Sequence, residues 1–357
     1  MFTNLMLLGG IAFEPAFAAA LIYLPPVQQL FGTAALPLDV LLLIMCFPAL
    51  IWGSDELRRD GNRKIPRRGK TMSPIIVAGA DGSASALAAV EYAAQDAARR
   101  GGVLRIVHVH EPWAGVRLRD LETIVNTYGE QILVTAERRA RASVPDLAIT
   151  TRLATGDIVN RLKDEAERAD TIVIGSRGTG GFAGMILGSV GLGLAGHTPG
   201  PVVVVRQTPS DTYGKVLVGY DGTEDADVAL EFAFAEAGRR RARLEAVYAW
   251  QPPSFTSLGT GYDNLIHCVY EERSNFVHQK FMAWQGKHPD VTAGRIGVRG
   301  HPVEVLSDMS HAADLVIAGC RGLGSFAGAM LGSVGHGLLH HAHCPVAIVS
   351  AGAKPAM

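Results

Sequence analysis

From about Thr71 onward, two kinds of apolar spacing alternate along the chain. Short unbroken runs of β-branched and aliphatic residues are separated by longer stretches in which apolar positions recur at helical intervals. The first set reads PIIVAGA, a helix over Ser85 to Arg100, VLRIVHV, a helix over Asp120 to Arg141, and LAITTRL. It continues with a helix over Asp157 to Ala169, the strand TIVIG, a short helix over Ser189 to His197, and the strand PVVVV. Strands this uniformly apolar are covered on both faces, and alternation with helices predicts right-handed crossovers and a parallel sheet.

The same order then repeats. VAGADGS, ending in Ser83, matches VGYDGT, ending in Thr223, and GSRGTGGFAGMILGSVG from Gly175 matches GCRGLGSFAGAMLGSVG from Gly319. Asp81 and Asp221 stand 140 positions apart and Gly175 and Gly319 stand 144 apart, so two copies of one domain follow in tandem with a small net insertion. The boundaries predicted are 71–206 for copy one, a polar turn-rich linker over 207–214, 215–350 for copy two, and a tail over 351–357. Each copy is expected to be an α/β, doubly wound, five-stranded parallel-sheet domain of strand order 3-2-1-4-5. Their fifth strands, PVVVV and PVAIV, would otherwise be exposed apolar edges, so an internal pseudo-dimer through those strands is expected, with a homodimer as the alternative.

The first seventy residues obey another pattern. Residues 1–55 contain Leu5–Leu24, with Glu14 as its one charge, and Leu36–Trp52, which carries Asp39. The first is long enough for a hydrocarbon core of roughly 30 Å and the second only marginally so, which predicts two transmembrane helices over about 5–24 and 36–52. A basic linker over 56–70 follows, and in Ser54–Lys70 seven of seventeen residues are Lys or Arg. Basic flanks stay in the cytoplasm, so the reading is a multi-pass membrane protein with both large domains cytoplasmic. A secretory signal is the rival, although MFTN lacks the usual positive charge. The segment GIAFEPAFAAALIYL through PALIWGSDELRR resembles the last two membrane helices of cation-transporting P-type ATPases. No DKTG string for an aspartyl-phosphate occurs in the chain, so it cannot pump alone.

Charge and cysteine content remove other classes. With 33 basic and 34 acidic residues the formal charge is −1, which gives no overall attraction to nucleic acid, and any anion site must be local. Cys46, Cys268, Cys320 and Cys344 form no CxxC pair, which argues against a disulfide framework or zinc site and for a reducing compartment. His336, His340, His341 and His343 cluster near Cys344, but no carboxylate is evident to orient them, and metal binding is not expected.

In a doubly wound sheet, ligands bind beyond the carboxyl ends of the strands at the switch in strand order. There Asp81 and Asp221 end the first strand, and the glycine segments follow the fourth. Gly175, Gly178, Gly188 and Ser189 recur as Gly319, Gly322, Gly332 and Ser333 at the same spacing. Glycines let backbone amides approach phosphate oxygens closely. Ser189–Val190 and Ser333–Val334 stand where a helix begins, and its free amides and dipole favour an anion. Arg177 and Arg321 add charge nearby. The plain alternatives are a flexible turn for the glycines and a turn with a helix cap for Asp81.

These segments resemble the ATP-binding signature of universal stress proteins, in which two glycines three apart are followed after nine residues by Gly-Ser or Gly-Thr. The resemblance covers 71–350. It implies that the glycines and serine hold phosphates and ribose of ATP, with or without magnesium, and that Asp81 and Val109 in copy one, and Asp221 and Ala249 in copy two, contact adenine. Ala86 and Ala226 depart from the family's frequent serine, and Cys320 replaces Ser176. No nucleophile with an adjacent base and no acid pair is present, so a stress-response sensor or regulator is expected rather than an enzyme. The alternatives are a slow ATPase or autophosphorylating protein, with Ser189 and Ser333 as acceptors, or a nucleotide-free scaffold associated with a cation transporter.

Overall fold

The structure is a computed structural model, and it describes residues 73–350 apart from 112–118, 179–187, 207–210, 252–259 and 323–330. Both membrane-helix expectations, the basic linker and the tail over 351–357 lie outside the described residues. Among the described residues, no helix is long and apolar enough to cross a membrane.

Copy one runs β1 (Ile75–Gly79), α1 (Ala84–Arg99), β2 (Val103–His110), α2 (Arg119–Ser143), β3 (Ile149–Thr155), α3 (Ile158–Ala166), β4 (Thr171–Gly175), α4 (Ser189–Leu194) and β5 (Val202–Val205). Copy two runs β6 (Lys215–Gly219), α5 (Glu224–Arg240), β7 (Arg243–Trp250), α6 (Thr260–Lys287), β8 (Ala293–Arg299), α7 (Pro302–Met309), β9 (Leu315–Gly319), α8 (Ser333–His341) and β10 (Val346–Val349). A single 3-10 turn, Ser310–Ala312, follows α7.

The ten strands form one sheet in the order β3-β2-β1-β4-β5-β10-β9-β6-β7-β8. Each half is parallel with the order 3-2-1-4-5, and the halves meet where β5 and β10 pair antiparallel, Val203 opposite Ala347. The fifth strands therefore cover one another, as their apolar composition requires. Neither is left as a hydrophobic edge. The outer strands β3 and β8 carry polar positions that the central strands lack, with Thr150, Thr151 and Arg152 exposed on β3.

Helices cover both faces. Ala89, Ala93 and Ala97 of α1, Ala136 of α2, Leu230 and Phe234 of α5 and Phe281 of α6 share one core layer with one face of the strands. Leu162 of α3, Leu194 of α4, Leu306 of α7 and Leu338 of α8 share the other. Alanine predominates on α1 because a helix lying close over a twisted sheet has little room for longer side chains.

Local chemistry sets the helix ends. Ser83 and Thr223 cap α1 and α5 by accepting from the amides of Ala86 and Ala226, and Asp157 caps α3 through Asn160. Two ends fall short of the pattern. The α3 helix stops at Ala166, because the chain turns to place Asp170 against β1, where its carboxylate accepts from the Ile75 amide at 2.8 Å. The α4 helix stops at Leu194 instead of His197, because Gly196 adopts φ +76°, a left-handed terminator.

Candidate functional site

The two signals furthest apart in each copy meet at the carboxyl end of the sheet. In copy two, Asp221 follows β6 and its Oδ1 accepts from the Thr223 amide at 3.0 Å and the Thr223 hydroxyl at 2.6 Å. Copy one repeats this with Ser83 donating its amide to Asp81 Oδ1 at 3.0 Å. One carboxylate oxygen thus holds the turn, which is the structural role allowed for Asp81. The other oxygen faces the glycine segment. A Cβ on Gly178 would lie 2.7 Å from Asp81 Oδ2, and one on Gly322 would lie 3.0 Å from Asp221 Oδ2. A side chain at either glycine would push the loop off the aspartate.

The other glycines act differently. A Cβ on Gly175 would lie 2.7 Å from the Ala86 nitrogen, and one on Gly319 would lie 2.8 Å from the Asp225 carbonyl oxygen. These first glycines therefore let the starts of α1 and α5 seat against β4 and β9. Gly188 donates to the Ser176 carbonyl at 2.8 Å and Gly332 to the Cys320 carbonyl at 2.6 Å, which returns the chain to the strand end before the next helix begins. Gly188 and Gly332 are the N-caps of α4 and α8, and neither helix receives a side-chain cap. The first amides of any helix have no intrahelical carbonyl to bond, so those of α8 suit an anionic or polar ligand.

A cavity of about 290 Å³ lies at this point in copy two. Its lining includes Asp221, Ala249, Gly319, Arg321, Gly322, Gly332, Ser333 and Val334, which are all the positions singled out in that copy. It also includes Val247, Pro302, Leu306 and Ala318, which give it an apolar floor and side wall. That volume is at the small end of the range for sites that take organic ligands. Pro302 and Leu306 escaped the sequence reading because α7 reaches the crevice only through the crossover after β8. Their one local signal is the His-Pro helix start, where the His301 ring accepts from the Val303 amide at 3.3 Å. In copy one, Asp81, Gly175, Arg177, Gly178, Gly188, Ser189 and Val190 occupy matching places around β1, β4 and α4, and Val109 lies near the end of β2.

The copies differ around this shared frame. In copy one the Ser85 hydroxyl donates to the Arg177 carbonyl at 2.6 Å. In copy two the corresponding residue is Asp225, which accepts from Arg321 Nε at 2.9 Å and from the Cys320 thiol at 3.7 Å. Behind Asp221, Lys280 of α6 donates to the Gly222 carbonyl at 2.9 Å and to Asp227 at 2.6 Å, and Arg273 donates to the Asp221 carbonyl at 3.0 Å. Tyr220 donates to Asp227 at 2.7 Å, and burial together with that bond pushes its phenol well above the usual range, so it remains a donor. In copy one the position of Tyr220 is Ala80, and its carbonyl accepts from His108 Nδ1 at 2.7 Å.

The histidines of copy two pair as rings. His336 and His340 have centroids 4.6 Å apart, and His311 and His343 are 3.5 Å apart. Among the described residues, no three His, Cys, Asp or Glu side chains converge on a common metal position. Cys320 is buried, and burial pushes the Cys344 thiol up to about 12, which suppresses its thiolate.

The universal stress protein family model matches residues 72–206 and again 212–350. The chain belongs to the universal stress protein family. Universal stress protein Rv1996 of Mycobacterium tuberculosis is 32% identical over 310 residues, covering 79% of this chain and 96% of that one. Universal stress protein Rv2623 of the same species is 31% identical, covering 76% and 95%. A solved universal stress protein from Archaeoglobus fulgidus shares the fold with a TM-score of 0.58 at 21% identity, covering 78% of this chain and 97% of that chain. Residues 1–60 match a separate model, the C-terminus of cation transporting ATPases. The matched universal stress protein segments contain every residue of both crevices.

Proposed function

We propose that the chain is an ATP-binding regulator of a stress response, each copy offering one nucleotide site and the full chain up to two. The observation that carries this reading is the copy-two crevice. Residues from Asp221 to Val334, supplied by three strand ends and three helix starts, meet there around uncapped helix amides and around Gly319 and Gly322, which have little room for a Cβ. Gly322, Gly332, Ser333 and Val334 would hold the phosphates and ribose, and Asp221 with the backbone at Ala249 would hold the adenine. In copy one the corresponding residues are Gly178, Gly188, Ser189, Val190, Asp81 and Val109. Bound ATP would order the glycine segment and shift partner binding, provided the partner discriminates between the two loop states.

Calorimetric titration of the full-length protein with ATP and with AMP tests this reading. We expect saturable ATP binding that is lost when Gly188→Val and Gly332→Val are combined. Unchanged affinity in that double variant would overturn it. Phosphate release abolished by Ser189→Ala and Ser333→Ala would move the protein to the enzyme class.

Tethering to the membrane through residues 1–55, with both domains cytoplasmic, is supported by their apolar runs and by the match to the cation transporting ATPase C-terminus. Alkaline carbonate extraction should leave the full-length chain in the membrane pellet. Recovery in the supernatant would refute the anchor.

A further inference from the structure

The charges around the two glycine segments are not the same, and the difference arises from two positions related by the repeat. Both segments leave the sheet in one geometry. Ser176 donates its amide to the Val205 carbonyl at 2.8 Å, and Cys320 donates its amide to the Val349 carbonyl at 2.8 Å. The loop arginine of each copy therefore lies beside the residue that follows the fifth strand. In copy one that residue is Arg206, and in copy two it is Ser350. The β4–β5 register, with Gly175 opposite Val205, sets Arg206 next to the loop that carries Arg177, and burial and that guanidinium both lower the Arg206 pKa. Arg206 is fixed in position by donating to the Leu339 carbonyl at 3.1 Å and to the His340 carbonyl.

The second position is the first turn of the helix beneath the loop. Ser85 brings no charge to copy one, whereas Asp225 brings a carboxylate to copy two, where it is 8% exposed and bound to Arg321. Copy one thus presents two guanidiniums against the single carboxylate of Asp81. Copy two presents one guanidinium against the carboxylates of Asp221 and Asp225.

We propose that the two crevices are specialised for different ligands: copy one accepts the triphosphate end of a nucleotide, and copy two selects a nucleotide with a less charged tail, of the monophosphate class. This rests on the nucleotide-binding reading and adds to it a division of labour. An incoming polyphosphate in copy two must draw Arg321 away from Asp225 and then sit near a nearly buried carboxylate, and like-charge juxtaposition at a dehydrated site is expensive. In copy one the same tail meets Arg177 with Arg206 behind it. The cations on α6 do not restore the balance, since Lys280 is engaged by Asp227 and Arg273 by the Asp221 carbonyl.

The test uses the full-length chain with one crevice blocked at a time. Gly332→Val reports copy one and Gly188→Val reports copy two, each titrated with ATP and with AMP. We expect copy one to bind ATP more tightly than AMP, and copy two to bind AMP at least as tightly as ATP. In the copy-two background, Asp225→Asn, which keeps the shape and removes the charge, should tighten ATP by about fivefold or more and leave AMP little changed. In the copy-one background, Ser85→Asp should weaken ATP by a similar factor, so the inference stays testable if either variant folds poorly. Equal ATP-to-AMP ratios in the two crevices, or an ATP affinity indifferent to Asp225→Asn and Ser85→Asp, would overturn the specialisation alone. Absence of any nucleotide binding would overturn it together with the reading beneath it.

Discussion

Gly175 and Gly319 show how one missing side chain can organise a site through the backbone packed against it. A Cβ at either would meet backbone atoms at 2.7 to 2.8 Å, and backbone of a helix start cannot swing aside as a long side chain can. Gly175→Ala should therefore destabilise the protein by about 1–3 kcal/mol, read as a lower urea midpoint. Gly286 supplies the opposite case. It lies within α6, nothing stands within 4 Å of its would-be Cβ, and Gly286→Ala should raise the midpoint by up to about 1 kcal/mol through helix propensity. An equal response at both positions would show that the close approach to α1 is not what makes glycine necessary at Gly175. The glycines after the fourth strands were visible in the sequence as a group, and the phosphate chemistry of glycine explained them as a group. Only the structure separates those that seat a helix from those that face the aspartate.

At the scale of elements, strands were the more legible class. Runs such as IVI in TIVIG and the valines of PVVVV are apolar at consecutive positions because helices cover both faces of the sheet. Helix ends were less legible, since they depend on what the chain must reach next. Asp170 ends α3 by its bond to β1, a strand roughly ninety positions earlier in sequence. The β3 strand also runs to Thr155, beyond the LAITTRL pattern, because its parallel partner β2 continues to His110 and offers hydrogen bonds that far. The α7 contribution to the cavity is of the same kind. Pro302 and Leu306 look like an ordinary amphipathic helix start, and their place beside Ala249 is created by the crossover.

At the largest scale, among the described residues, the copies are joined through the β5–β10 pair, through Arg206 bound to the end of α8 and Ser350 bound to the Thr198 carbonyl, and through a buried charge cluster between α1 and α5. There Glu236 accepts from Arg100 at 2.7 Å, from Arg239 at 2.8 Å and from Arg240 at 3.1 Å, while Arg240 also donates to the Tyr92 hydroxyl at 2.6 Å. Burial opposes the Glu236 charge, but Arg100, Arg240 and Arg239 together outweigh it and hold the carboxyl below the usual range. A carboxyl with a lowered folded value stabilises the fold above its unfolded pKa of about 4.3, and that contribution is lost as pH falls through the folded value. Glu236→Gln should accordingly cost about 3 kcal/mol at neutral pH, by taking the Glu236 charge from Arg239 and Arg240 and leaving Arg100 with Asp96, 2.9 Å from its Nε, as its carboxylate. The gap between variant and wild type in chemical denaturation should narrow in acid. A gap independent of pH would show that shape, and not charge, joins the copies here.

The sequence by itself determined the repeat, the parallel α/β class and the pairs of segments that meet at the end of the sheet, because periodicity and spacing are local properties that survive in one dimension. The joining of β5 to β10 was foreseeable too, as two apolar edges with no other cover, while its antiparallel sense came from the structure. Tertiary structure alone decided which glycine faces which atom, that α7 walls the crevice, and that Asp225 pairs with Arg321 where Ser85 meets the Arg177 carbonyl. These depend on distances between residues scores of positions apart, and a linear pattern carries no measure of such distances until the sheet has been assembled.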